Sequence, residues 1–172
     1  MATKVTTGRK RPVDEYIRSA PEEIRGRFEF FDGGWHEKPM SGWRHNNLSA
    51  YLVVEVERRG LKASFDVITQ LPIGEERHPD VLVVGPKNPD QPGPGEYHGV
   101  PDSVMELLSE GDAGAYDDRK RESYRRAGVR YYWLVRLGPD AVEPAELIEG
   151  EYVWGEPFKL FPLEALPVPL DL

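Results

Sequence analysis

The alternation of apolar and polar positions divides the chain into short strands and two substantial helices. Arg27 to Phe31 and Trp35 to Lys38 predict two strands around Asp32-Gly33-Gly34, residues that tolerate the positive φ a tight hairpin needs. Before them, residues 13–19 predict a short amphipathic helix stopped by Pro21. From Trp43 to Arg59, Leu48, Leu52 and Val56 recur at helical spacing with His45 in line, and Gly60 closes the helix. Residues 61–73 predict two short strands or one long bent one. Val81 to Val84 is an uninterrupted apolar run, the mark of a central strand buried on both faces. Residues 86–101, broken by Pro86, Pro89, Pro92 and Pro94, predict an exposed rigid loop.

The second half repeats the alternation with charge in unexpected places. Asp102 to Leu108 reads as a strand, yet Glu106 sits among Val104, Met105, Leu107 and Leu108. Asp112 starts and Gly128 ends a helix in which Ala113, Tyr116, Lys120, Tyr124 and Ala127 share one side. Arg119, Arg121, Glu122, Arg125 and Arg126 point the other way. Val129 to Leu137 is a further apolar strand, and strand, helix and strand form a right-handed crossover if the two strands pair in parallel. Ala141 to Ile148 and Tyr152 to Phe161 predict an antiparallel hairpin turning at Glu149-Gly150. The fold class that follows is α/β: a central mixed sheet flanked by helices, with a β-hairpin towards each end. Residues 1–12 read as a flexible tail and 13–172 as one domain.

Composition narrows the picture. A chain of 172 residues supports one domain with a substantial core. No run of 18 apolar residues occurs, so no membrane span is expected. The absence of cysteine removes disulfides and thiolate metal sites and suits a reducing cytoplasm. A formal net charge of −8 argues against binding nucleic acid over the whole surface. The outward arginines at 119, 121, 125 and 126 still make one local basic face, although charge runs are more often simply solvated.

Three charged groups then stand out: Asp80 at the start of a core strand, Glu106 within the next, and Lys120 on the inward side of the crossing helix. Burying a charge costs several kcal/mol unless it is paired, so Glu106 and Lys120 are either an ion pair or parts of a site. Asp80, Glu106 and a strand carbonyl, with Leu107 the obvious donor, are the oxygen ligands that Mg²⁺ or Mn²⁺ prefers. Such a metal polarises a phosphodiester and activates water, and a lysine beside it orients that water or stabilises phosphate charge.

Several segments together resemble a known family. F-E-F-F-D-G-G at 28–34, His45, P-D-V-L-V-V at 79–84, E-L-L-S at 106–109 and D-R-K-x-x-x-Y-x-x-A-G-V-x-x-Y-W are similar to the Uma-type family of the PD-(D/E)xK nuclease superfamily. The resemblance runs from about Val13 to Leu166 and implies a restriction-endonuclease-like core. It implies that Asp80 and Glu106 are metal ligands. The lysine that ordinarily stands two residues after the acid, where this chain has Leu108, would have moved to Lys120. Glu29, His45, Asp117 and Tyr124 would be auxiliary, and Ser109 would hold the loop into the helix. The family's helix acid is replaced by Tyr116, and its acid after Y-W-x-V by Arg136.

The reading is a metal-dependent nuclease whose partner is nucleic acid, DNA first, and which forms a homodimer or higher homo-oligomer. Against it stands a catalytically inactive nuclease-fold scaffold, which the acidic balance favours. A third reading is a small-molecule enzyme using Glu29 or Glu106 with His45 as an acid–base pair.

Overall fold

The computed structural model describes residues 26–109 and 115–162. The expected tail, the helix over 13–19 and the Asp112 cap lie outside the described residues.

The chain opens with the predicted hairpin, β1 (Phe28–Phe31) and β2 (Gly34–Glu37). Asp32 and Gly33 both take positive φ, 50° and 72°, as a two-residue turn matched to strand twist requires. Helix α1 (Trp43–Glu57) follows, with Leu48, Leu52 and Val56 buried as its spacing predicts and Gly60 turning the chain at φ 82°. Residues 61–73 resolve into two strands, β3 (Lys62–Ser64) and β4 (Thr69–Leu71). A strand the alternation did not announce, β5 (Glu75–Arg77), pairs antiparallel with β1 and β4. β6 (Val81–Val84) is buried at every position.

The loop expected over 86–101 contains β7 (Tyr97–His98), which pairs in parallel with β4 and buries Tyr97. Prolines stop short of residues 95–99, so this stretch keeps the N–H groups a ladder needs. β8 (Ser103–Leu108), α2 (Ala115–Ala127) and β9 (Tyr131–Arg136) form the expected crossover unit with parallel strands. β10 (Ala141–Ile148) and β11 (Glu151–Trp154) form the predicted hairpin at Glu149-Gly150, but the arm expected over Tyr152 to Phe161 breaks around Gly155 and Pro157, and β12 (Phe158–Lys159) pairs separately with β10.

Two sheets result. One runs β2-β1-β5-β4-β7, and the other runs β11-β10-β9-β8-β6-β3 with β12 also on β10. Alternation along β8 and β9 decides which side chains meet which helix. Met105, Leu107, Trp133 and Val135 join Leu48, Leu52 and Val56 of α1 in one core. Val104, Tyr132 and Leu134 lie on the opposite face and pack with Tyr124 of α2. Glu106 shares parity with Val104, so period two turns it towards α2.

The smaller sheet and α2 are joined by Arg77. Its guanidinium lies 3.6 Å from the Phe31 ring centroid and donates to Glu29 Oε2 at 3.1 Å, to Ser123 Oγ at 2.5 Å and to the Arg119 carbonyl at 3.1 Å. Glu29 and Arg77 are buried, so losing one partner leaves the other charged in an apolar setting. Arg77→Ala is therefore expected to cost roughly 3–5 kcal/mol of unfolding free energy. Arg125→Ala, which removes solvent-screened pairs with Glu122 and Glu151, should cost far less. Urea denaturation of both variants checks this, and equal losses would show that Arg77 is no clamp.

Candidate active site

The register of β6 and β8 brings the acids together. Val81 pairs with Met105 and Leu82 with Val104, so one step further along the ladder Asp80 falls opposite Glu106. The Leu107 N–H donates to Asp80 Oδ2 at 2.7 Å, and His45 Nε2 of α1 lies 3.0 Å from the same oxygen. Both contacts fall on Oδ2, and Oδ1 takes neither. Burial pushes the Asp80 carboxyl up, but Lys120, His45 and the Leu107 N–H outweigh it and hold it below the usual range. Burial likewise pushes the His45 imidazole down, and Asp80 more than restores it, leaving it raised.

Glu106 is held differently. Lys120 Nζ donates to its Oε2 at 2.7 Å and the Tyr124 hydroxyl to its Oε1 at 2.8 Å. Burial pushes the Glu106 carboxyl well up against the pull of Lys120, and Asp80 and Glu29 add to the rise. Burial and Glu106 together raise the Tyr124 hydroxyl far above its ordinary value. Lys120 also donates to the His78 carbonyl at 3.1 Å and stands 3.6 Å from Glu29 Oε1. Glu29 Oε1 in turn accepts the His78 N–H at 2.8 Å.

These groups meet in an open cleft of about 440 Å³. Asp80, Glu106, Leu107, Ser109, Lys120 and His45 line it from the larger sheet and both helices, together with Lys38, Met40, Asp66 and His78. The structure thus brings Asp80, Glu106, Leu107, Lys120, His45, Tyr124 and Glu29 to one place. The Asp117 side chain lies outside what is described. The arginines separate. Arg126 pairs with Glu75 at 3.0 Å, and Arg125 binds Glu122, Glu151 and the Gly150 carbonyl. Arg121 pairs with Asp118, and Arg119 is exposed with its guanidinium 5.3 Å from the Phe31 ring.

Sequence reasoning missed Arg77, Lys38, Asp66 and the side chain of His78. Glu75-Glu76-Arg77-His78 is a charge run that reads as solvated, yet all four are buried. The available signal was its position, directly before Pro79-Asp80.

The donor set suits a hard divalent cation. Among the described residues no three His, Asp or Glu side chains form a ready cage. Mg²⁺, however, is commonly held by one or two carboxylates together with waters and substrate phosphate. Asp80 has an oxygen to offer, and each Glu106 oxygen keeps a second lone pair beside its present bond.

Comparison with known proteins agrees with this architecture. A putative nuclease of the DUF820 group from Anabaena variabilis ATCC 29413, known from a crystal structure, superposes with a TM-score of 0.69 at 20% identity. The alignment covers 93% of this chain and 90% of that one, which establishes a shared fold. A DrdV–DNA complex gives a TM-score of 0.40 at 16% identity over 64% of this chain and 9% of that one, a likeness too slight to carry an argument. No curated protein matches the sequence. The Uma2 family model, described as "Putative restriction endonuclease", matches residues 13–170, and the chain belongs to that family.

Proposed function

We propose that this protein is a divalent-metal-dependent nuclease that hydrolyses phosphodiester bonds. The observation that carries the reading is the meeting of Asp80 and Glu106, from adjoining strands, with Lys120 2.7 Å from Glu106, in an open cleft. In this reading Asp80, Glu106 and the Leu107 carbonyl hold Mg²⁺ or Mn²⁺, and DNA is the expected substrate. The bound ion would supply Lewis acidity and a lowered pKa for water. Lys120, fixed by Glu106 and the His78 carbonyl, presents a cation to the phosphate or the attacking water. His45 holds the Asp80 carboxylate in orientation. In this reading the outward arginines at 119, 121, 125 and 126 would lie near the nucleic-acid backbone.

One observation favours a second reading, an inactive nuclease-fold scaffold. Both Glu106 oxygens are already satisfied, by Lys120 and Tyr124, as a purely structural ion pair would have them. The homo-oligomer that goes with it has a candidate surface in an apolar groove of about 460 Å³ beside the edge strand β11, where Val153 and Trp154 are exposed.

With Mn²⁺ or Mg²⁺, the purified protein is expected to cleave single- or double-stranded oligonucleotides. Asp80→Ala and Glu106→Gln should each lower the rate at least about 100-fold while circular dichroism stays native, whereas Lys120→Ala should lose stability along with the rate because it strips the buried Glu106 of its cation. Cleavage by none of the proteins, wild type included, would favour the scaffold.

A pH signature follows from Glu106. Its carboxyl is raised in the folded state, so the folded chain holds that proton more tightly than the unfolded chain. The resulting stability is fully present below the unfolded value and is lost as pH rises through the folded one. Wild-type stability relative to Glu106→Gln should therefore fall as pH rises above the ordinary glutamate range, measured by denaturation at each pH. A constant or rising difference would contradict a raised Glu106.

A further inference from the structure

Lys38 is the cleft's second lysine, and nothing in the chemistry of Asp80, Glu106 and Lys120 uses it. It follows directly on β2, and its main-chain N–H is tied to the Arg27 carbonyl at 2.9 Å, so the hairpin fixes its starting point. The side chain is only 16% exposed, whereas its ion-pair partner Asp66 is 61% exposed. The ammonium is also 3.1 Å from Nδ1 of the buried His78. Asp66 is held over this pair by a backbone with φ 49°, a region asparagine and aspartate tolerate better than most residues, and by its N–H to the Pro79 carbonyl at 3.1 Å.

This arrangement differs from an ordinary surface ion pair. A mostly buried cation faces the cleft, and its counter-charge is a largely solvated carboxylate at the mouth. An ammonium has three donors, and among the described residues Asp66 takes one; His78 Nδ1 takes a second only in the tautomer that leaves that nitrogen bare. We propose that Lys38 is a substrate-positioning residue that binds a phosphate of the nucleic acid next to the scissile one, and that Asp66 occupies this anion position until substrate displaces it. The inference rests on the nuclease reading and gives the cleft a second cationic contact besides Lys120. Met40, which also lines the cleft, is 96% exposed.

The two residues of the pair are predicted to act with opposite sign, which a structural salt bridge would not do. Binding of a fluorescein-labelled oligonucleotide is followed by anisotropy with Ca²⁺, which takes the same oxygen ligands as Mg²⁺. Lys38→Ala should weaken binding on the order of tenfold and flatten the log–log salt dependence by about 0.7 to 0.9. Lys38→Arg should keep both. Asp66→Asn should tighten binding, because it removes the competing anion but leaves the lysine. If Lys38→Ala and Asp66→Asn instead lower the melting temperature alike and leave binding unchanged, the pair is structural and the proposal fails. If the wild type binds no oligonucleotide, the nucleic-acid reading itself fails and takes this inference with it.

Discussion

The structure turns on the buried ion pair between Lys120 and Glu106. Neither charge survives burial alone, so the helix carrying one must cross the strand carrying the other at a fixed height. That requirement selects the face of β8 on which α2 lies and explains why the stripe through Lys120 and Tyr124 is tolerated in a core. It also draws in further groups. Tyr124 takes one Glu106 oxygen, the His78 carbonyl takes a Lys120 proton, and Glu29 stands 3.6 Å behind. Arg77 then answers Glu29 and returns to α2 through Ser123 and the Arg119 carbonyl. The result is a closed ring of charge and hydrogen bonds rather than an isolated pair, which is how a low-dielectric interior accommodates so many ionisable groups.

Much of this was legible in the sequence because it followed from periodicity. The parity of Val104 and Glu106, the helical spacing of Lys120 and Tyr124, and the turn chemistry of Asp32-Gly33 and Glu149-Gly150 all act locally, and these features formed where the pattern predicted. What escaped was non-local. Glu75, Glu76, Arg77 and His78 look like a solvated run because burial of charge depends on partners 40 or more residues away, as with Arg77 and Ser123. β7 escaped for a related reason: a two-residue strand has too little alternation to announce itself, and its existence depends on β4 offering an edge. Lys38 and Asp66 were unreadable as a pair because only the folding of β2 beside the β3–β4 loop brings them together.

The same network bears on chemistry. Asp80 is tuned downward and Glu106 upward, although they are neighbours across one ladder, because Lys120, His45 and a backbone N–H outweigh burial at the first while burial dominates the second. Two acids pushed apart in this way are a common property of sites that bind a metal or move a proton, although structural ion-pair networks do the same. Membership of the Uma2 family and the fold shared with the Anabaena protein make a nuclease the natural expectation. Neither states what these particular carboxylates hold.

Calorimetric titration of Mn²⁺ into the wild type and into Asp80→Ala, with a phosphorothioate oligonucleotide present to complete the coordination, addresses that directly. A saturable site in the wild type that disappears in a folded Asp80→Ala protein is the result the account predicts. Equal binding by the two proteins, or none by either, would contradict a metal site built on Asp80 and Glu106.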